Sequence, residues 1–269
     1  MKHFFSPALL ALAATLATAT SLAHAQEIPF PKASPKAKLT EQIGVASLEI
    51  EYSRPSVKGR KVFGDLVPWG EVWRTGANEA TKITFGAEMT FGGELVAPGT
   101  YALFTIPGEK EWTVILNKVA GQWGAYKYDE KNDLLRVKVM PSRLAEPVET
   151  FLISVTDLKD DGANLVFAWD TTRVAVKLHS DVAKVIVPQI EAAMKAEGKK
   201  PYFPSAMFYY EHGLDLKKAL AWMDEALKEQ PDAVWMVYRK GLIQAKAGDK
   251  AGALASAKRI DELFAERSE

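Results

Sequence analysis

The hydrophobic period of this chain changes near Ser180, and the change divides it into two unlike parts. Before it, apolar residues alternate, with Leu48, Ile50 and Tyr52 on one face of Ser47–Tyr52 and Ile83 and Phe85 on one face of Thr81–Phe85. After it they recur about every 3.6 residues, with Val182, Val185, Ile186, Ile190, Ala193 and Met194 in one stripe. The first pattern buries one face of a strand and the second one side of a helix. With no helical stretch between the strands, the first part reads as an antiparallel β-sandwich or barrel.

Turn signals set the strands. Met89–Phe91 and Glu94–Val96 flank Gly92-Gly93, a pair suited to a primed hairpin turn. Thr100–Ile106 and Glu111–Asn117 flank a Pro-Gly turn, and Leu134–Met140, Val148–Leu158, Asn164–Trp169 and Thr172–Leu178 follow. The expectation is a sandwich of eight or nine strands over residues 36–180. Ser180 can cap the first helix, Pro188 should kink or divide it, and Gly198 and Pro201 mark its end. In the helical segment, 181–269, Tyr210, Ala219, Met223, Ala226 and Pro231 fall at one set of 34-residue repeat positions, and Gly241, Ala253 and Ala257 at the next. That spacing resembles a tetratricopeptide array, in which small residues let paired helices approach closely. Two units are too few for a solenoid, so a cap on the sandwich and a groove for a protein partner both stay open.

Residues 1–25 place Lys2 before an Ala/Leu run that ends Ala23-His24-Ala25, the pattern of a signal peptide cut after Ala25. Residues 26–38, with three prolines and three lysines, read as a linker. The expected location is periplasmic or secreted, with no membrane span. The chain has no Cys, so neither a lipoprotein thiol nor a disulfide framework is available. Without Lys2, 33 basic residues face 34 acidic ones, which offers no basic footprint for nucleic acid.

Familiar catalytic motifs are missing: there is no G-x-S-x-G elbow, phosphate loop, dinucleotide fingerprint or H-E-x-x-H. After processing only His179 and His212 remain, so no transition-metal site and no cofactor is expected. The acidic run Asp157–Asn164 lacks calcium-loop spacing and reads as a hairpin turn. The segment from Arg54 to Thr81 stands apart, being long and polar yet holding Phe63, Trp69 and Trp73. Arg54, Lys58, Arg60 and Lys61 add local positive charge. Trp73 offers a stacking face, Arg74 a forked donor to an anion or sugar, Asn78 an amide and Glu79 a base. Equally, Arg74 can pair with Glu79 while the tryptophans fill the end of the sandwich. A second cluster, Gln122 to Asp133, brings Trp123, Tyr126 and Tyr128, which can join the same pocket if the loops meet.

The blocks SRPSVKGRKVFG, VWRTGANEATKITF, APGTYALFTIPGEKEWTVILNK, QWGAYKYDE and LRVKV, in this order, resemble the bacterial domain-of-unknown-function family 2911 over about residues 36–180. The resemblance implies an exported envelope protein and brings no activity, substrate or catalytic residue. It implies that Arg54, Lys58, Arg60, Trp73, Arg74, Gly76, Asn78 and Glu79 form the family's characteristic block. Three function classes are open on the sequence. The leading one is a glycan- or peptide-binding module with a pocket rimmed by Arg54, Trp73, Arg74, Asn78, Glu79, Trp123 and Tyr126. The others are a glycosidase-like hydrolase using Glu79 as acid or base, and a scaffold acting through the helices.

Overall fold

The computed structural model describes residues 30–267. The signal-peptide reading, and the linker up to residue 29, lie outside the described residues. All sheets and helices belong to one compact unit that begins at Ala33. Two antiparallel sheets face each other. The larger contains β1 (Lys36–Ile43), β2 (Ala46–Ser53), β3 (Thr81–Phe85), β6 (Gly99–Ile106), β7 (Trp112–Asn117) and β8 (Asp133–Val139), hydrogen-bonded in that order. The smaller runs β5 (Glu94–Val96), β4 (Met89–Phe91), β10 (Gly162–His179), β9 (Ser142–Thr156). Alternation explains the core between them: Leu48, Ile50, Ile83 and Phe85 of the large sheet are buried together with Leu165, Phe167, Trp169 and Val176 of the small one. Gly92 and Gly93 both adopt positive φ, +63° and +95°, which is the backbone a two-residue primed hairpin turn requires.

The described residues contain ten strands rather than eight or nine. The added one is β1, whose first three residues, two of them outward lysines, fell in the expected linker; lysine on an outer strand discourages pairing with another chain. Two further expectations merge. Asn164–Trp169 and Thr172–Leu178 are one strand, β10, because Asp170 takes φ +50° with register shifts on either side, so the chain bulges and continues. Strand β9 begins at Ser142, ahead of the expected Val148. It carries Pro147 through a stretch where the ladder to β10 is interrupted, so no bonded amide is lost there.

Five helices follow: α1 (Val182–Lys195), α2 (Tyr202–Glu211), α3 (Leu216–Glu229), α4 (Val234–Lys246) and α5 (Lys250–Glu266). The first is capped by Asp181, whose carboxylate accepts the Lys184 amide, and not by Ser180. Pro188 does not divide it. The residue lies on the exposed side, where water can satisfy the carbonyl that its missing N–H leaves open. The helices have their own core, built from Ala206, Tyr209, Ala219, Met223, Ala226, Met236 and Ile243. Ala257, expected at a helix contact, is exposed. Ser256 takes that place, close to Gly241 and donating to Gln244 Oε1 at 2.7 Å. The helices meet the sandwich through Lys184, whose ammonium lies 2.5 Å from Glu88. Among the described residues no helix is long and apolar enough to cross a membrane.

Candidate functional site

The connection between β2 and β3, residues 54–80, is a strap tied to both sheets. Phe151 N–H donates to Pro55 O and Val57 N–H to Glu149 O, each at 2.8 Å, which covers the free edge of β9. Further on, Trp73 and Thr105 exchange backbone bonds of 2.7 and 2.9 Å, which fastens the strap to β6 in the other sheet. Aromatic packing holds it between these anchors. Trp73, 8% exposed, stacks on Trp169 with ring centres 5.8 Å apart and meets Phe151 edge-on at 5.1 Å. Phe63 meets Trp112 edge-on at 5.0 Å. These rings continue the main core to the end of the sandwich.

Three side-chain-bearing residues of the strap adopt left-handed backbone: Lys58, Thr75 and Asn78, with φ of +50°, +52° and +61°. Asn tolerates this region, but a β-branched Thr rarely enters it, and such strain costs about 1–3 kcal/mol. Thr75 is buried and over-determined. Its Oγ1 donates to Thr105 Oγ1 at 3.2 Å, and its carbonyl accepts from Thr81 Oγ1 at 2.6 Å.

The strap and the sheet ends border an open cavity of about 410 Å³. Trp73 and Trp169 contribute its aromatic wall, and Lys58, Arg60, Arg74 and Asn78 its polar one. Its lining includes no Asp or Glu. Among the described residues none of the three cations forms an ion pair. Arg60 donates from Nε to Val57 O at 3.0 Å and from Nη2 to Ser56 O at 2.6 Å, and Arg74 from Nη1 to Asn78 O at 3.0 Å. Backbone carbonyls orient the guanidiniums without neutralising them, and the Glu149 carboxylate accepts from the Lys58 backbone N–H at 2.9 Å, so the lining itself carries three positive charges with an acid at its margin.

The sequence model of a protein family of unknown function, DUF2911, matches residues 34–178. The chain belongs to that family. No curated protein and no solved structure matches the chain. The DUF2911 match spans both sheets and every residue of the cavity lining except Ala33, and it stops before the helices.

Within the DUF2911 domain the expected site residues separate. Trp73, Arg74 and Asn78 line the cavity. Arg54 does not; its Nε donates to Phe151 O at 3.0 Å, a tie between strap and β9. Glu79 lies in a second depression, of about 390 Å³, beside β1, β2 and β3. There its carboxylate pairs with Lys36 at 2.7 Å, where the sequence offered Arg74 as partner. The bond to Glu79 raises the Lys36 ammonium above its usual range. This depression also holds Lys38 and Glu51, so its charges are largely paired within it.

The second aromatic connection does meet the strap. Ala80 N–H donates to Gln122 O and Gly124 N–H to Asn78 O, each at 3.0 Å. Trp123 and Tyr126 stand 60% and 80% exposed, so neither joins Trp73 in the core. The Arg74 guanidinium lies 5.8 Å from the Tyr126 ring centre. Gly124 allows this approach: its φ is +65°, and a Cβ there would stand 2.8 Å from the Tyr126 ring and 3.2 Å from Arg74 Nη1. Arg74 thus both lines the cavity and lies against the exposed Tyr126 ring. The sequence registered Lys58 and Arg60 as local charge without placing them in a pocket. Trp169 gave no local signal, because only the pairing of β10 brings it under the strap. Among the described residues no group of three His, Cys, Asp or Glu is placed to hold a metal ion.

Proposed function

We propose that this DUF2911 protein is an exported ligand-binding module that captures an anionic group in the cavity at the end of its sandwich. The observation that carries the reading is the set of Lys58, Arg60 and Arg74 around one aromatic-walled cavity with no carboxylate in its lining. Like charges held together in a fold are a cost unless a partner of opposite sign is bound there part of the time. The left-handed backbone of Lys58 and of the β-branched Thr75 agrees with a site whose geometry is imposed by its surroundings. Export follows from the leader pattern of residues 1–25. The helical segment, with its tetratricopeptide-like spacing, serves to join the module to an envelope assembly. Binding is favoured over hydrolysis because Glu79, the candidate base, is engaged by Lys36 outside the cavity.

The test uses residues 26–269 titrated with phosphate, sulfate, citrate and neutral maltotriose at fixed ionic strength, followed by tryptophan fluorescence and thermal unfolding. Anions are expected to change the fluorescence, through Trp73 and Trp169, and to raise the midpoint. Maltotriose, without a charge, is expected to do much less. The double variant Lys58→Gln/Arg74→Gln should lose the anion response. An anion response that survives in the folded double variant, or none in the parent, would sink the reading.

A further inference from the structure

We infer that the ligand is an acidic oligosaccharide, with a carboxylate held by Lys58, Arg60 and Arg74 and an adjoining sugar ring laid on Trp123 and Tyr126. The inference rests on the anion-binding reading above and adds the class of molecule that carries the anion.

It starts from Trp123 and Tyr126, two large rings of one connection left open to water, of which Tyr126 lies against the cavity-lining Arg74. Among the described residues neither ring stacks on another aromatic, and although the Arg74 guanidinium lies over the Tyr126 ring, both side chains remain exposed. An open, one-sided aromatic surface suits the C–H face of a pyranose, whose hydroxyls stay in water while its apolar face packs. Arg74 joins the two features. One of its terminal nitrogens is fixed on Asn78 O, and the rest of its fork remains to meet a carboxylate side-on.

The surroundings of Trp123 select further. Glu79 forms a β-bridge with Trp123, and its carboxylate is paired with Lys36. An ammonium next to a carboxylate offers a donor and an acceptor together, which matches hydroxyl groups. One anion per ring, followed by neutral hydroxyls, fits this sequence of cation cavity, aromatic patch and mixed pair.

Calorimetry on residues 26–269 decides it, with galacturonic acid, trigalacturonic acid, maltotriose, inorganic phosphate and adenosine monophosphate as probes at fixed ionic strength. Trigalacturonic acid is expected to bind about tenfold more tightly than the monomer, since stacking one ring contributes on that scale. The advantage should vanish in Trp123→Ala/Tyr126→Ala and persist in Trp123→Phe, whose ring is kept. Phosphate or adenosine monophosphate binding as tightly as the trimer overturns the inference, and so does a trimer advantage indifferent to both rings. In those cases anion binding that depends on Lys58 and Arg74 would still stand. If no anion binds, the anion reading falls and takes this one with it.

Discussion

The two aromatic-rich connections of the DUF2911 domain, residues 54–80 and 122–133, carry similar residues and dispose of them in opposite ways. The first buries two of its three large rings and leaves its cations without ion pairs among the described residues: Phe63 and Trp73 enter the core, Trp69 stays exposed, and Lys58, Arg60 and Arg74 border a cavity. The second ties up its carboxylates and leaves rings outside. Tyr128 packs edge-on against Phe104 at 5.1 Å, over a small cluster of Ala80, Ala102 and Ile115 that covers the outer face of β6 and β7. Asp133 then accepts from Tyr128 Oη at 2.6 Å, Arg136 Nε at 2.7 Å and Asn117 Nδ2 at 2.8 Å, so polar groups near the cluster are satisfied. Trp123 and Tyr126, in the same connection, remain exposed. Composition alone does not mark a binding loop. What matters is which residues the fold has already used.

The largest effect that separates the two connections should come from Trp73→Ala. Trp73 touches rings from both sheets and lies in the main core, so its loss should lower the unfolding free energy by about 3–5 kcal/mol in urea titrations. A cost no larger than that of a surface substitution would mean the strap is not part of the core. Tyr128→Phe should come next, at about 1 kcal/mol, for one hydrogen bond to a carboxylate at a partly buried site.

The same residue gives the second connection a pH signature. Burial, then the bond to Asp133, pushes the Tyr128 phenol up to about 12 from its ordinary 10.0. Between these values the unfolded chain has released a proton that the folded chain still holds, so stability falls as pH rises through the window. Below it the contribution is complete. Tyr209 in the helices, also at about 12 through burial and its bond to Glu191, acts in the same direction. Tyr128→Phe should therefore weaken, without abolishing, the alkaline loss of stability. An unchanged profile would mean that Tyr128 ionises as freely in the folded protein as in the unfolded one.

How far the sequence could be read follows the range of the interactions. Period-2 alternation in β2 and β3 and the paired glycines between β4 and β5 are local, and the structure places strands and turn there. Strand β1 was hidden because its outward face is basic, and β10 looked broken because a bulge at Asp170 resembles a turn. The cavity was legible only in part. Arg74, Asn78 and Trp73 lie in one continuous stretch, whereas Trp169 arrives from β10. Whether a ring is buried or exposed was not legible. Trp73 and Trp123 both sit among polar neighbours, and only the register at Thr105 and the bridge at Glu79 sends one inward and the other out.

That last contrast makes the smallest predicted effect the most informative about the second connection. Trp123→Ala removes the largest side chain of its loop, yet the ring stacks on no aromatic among the described residues, and the loop is tied by backbone bonds at Gln122 and Gly124 that the substitution leaves intact. The unfolding free energy should stay within about 0.5 kcal/mol of the parent, as for ordinary surface positions. Tyr126→Ala should cost slightly more, up to about 1 kcal/mol, because its ring faces the Arg74 guanidinium. Both are measured by the same urea titration as Trp73→Ala, on the same chain. A loss at Trp123 comparable to that at Trp73 would make its ring a structural member of the fold, and the contrast between the two connections would collapse. A neutral result leaves an exposed tryptophan that stability does not require, and the contrast between the two connections stands.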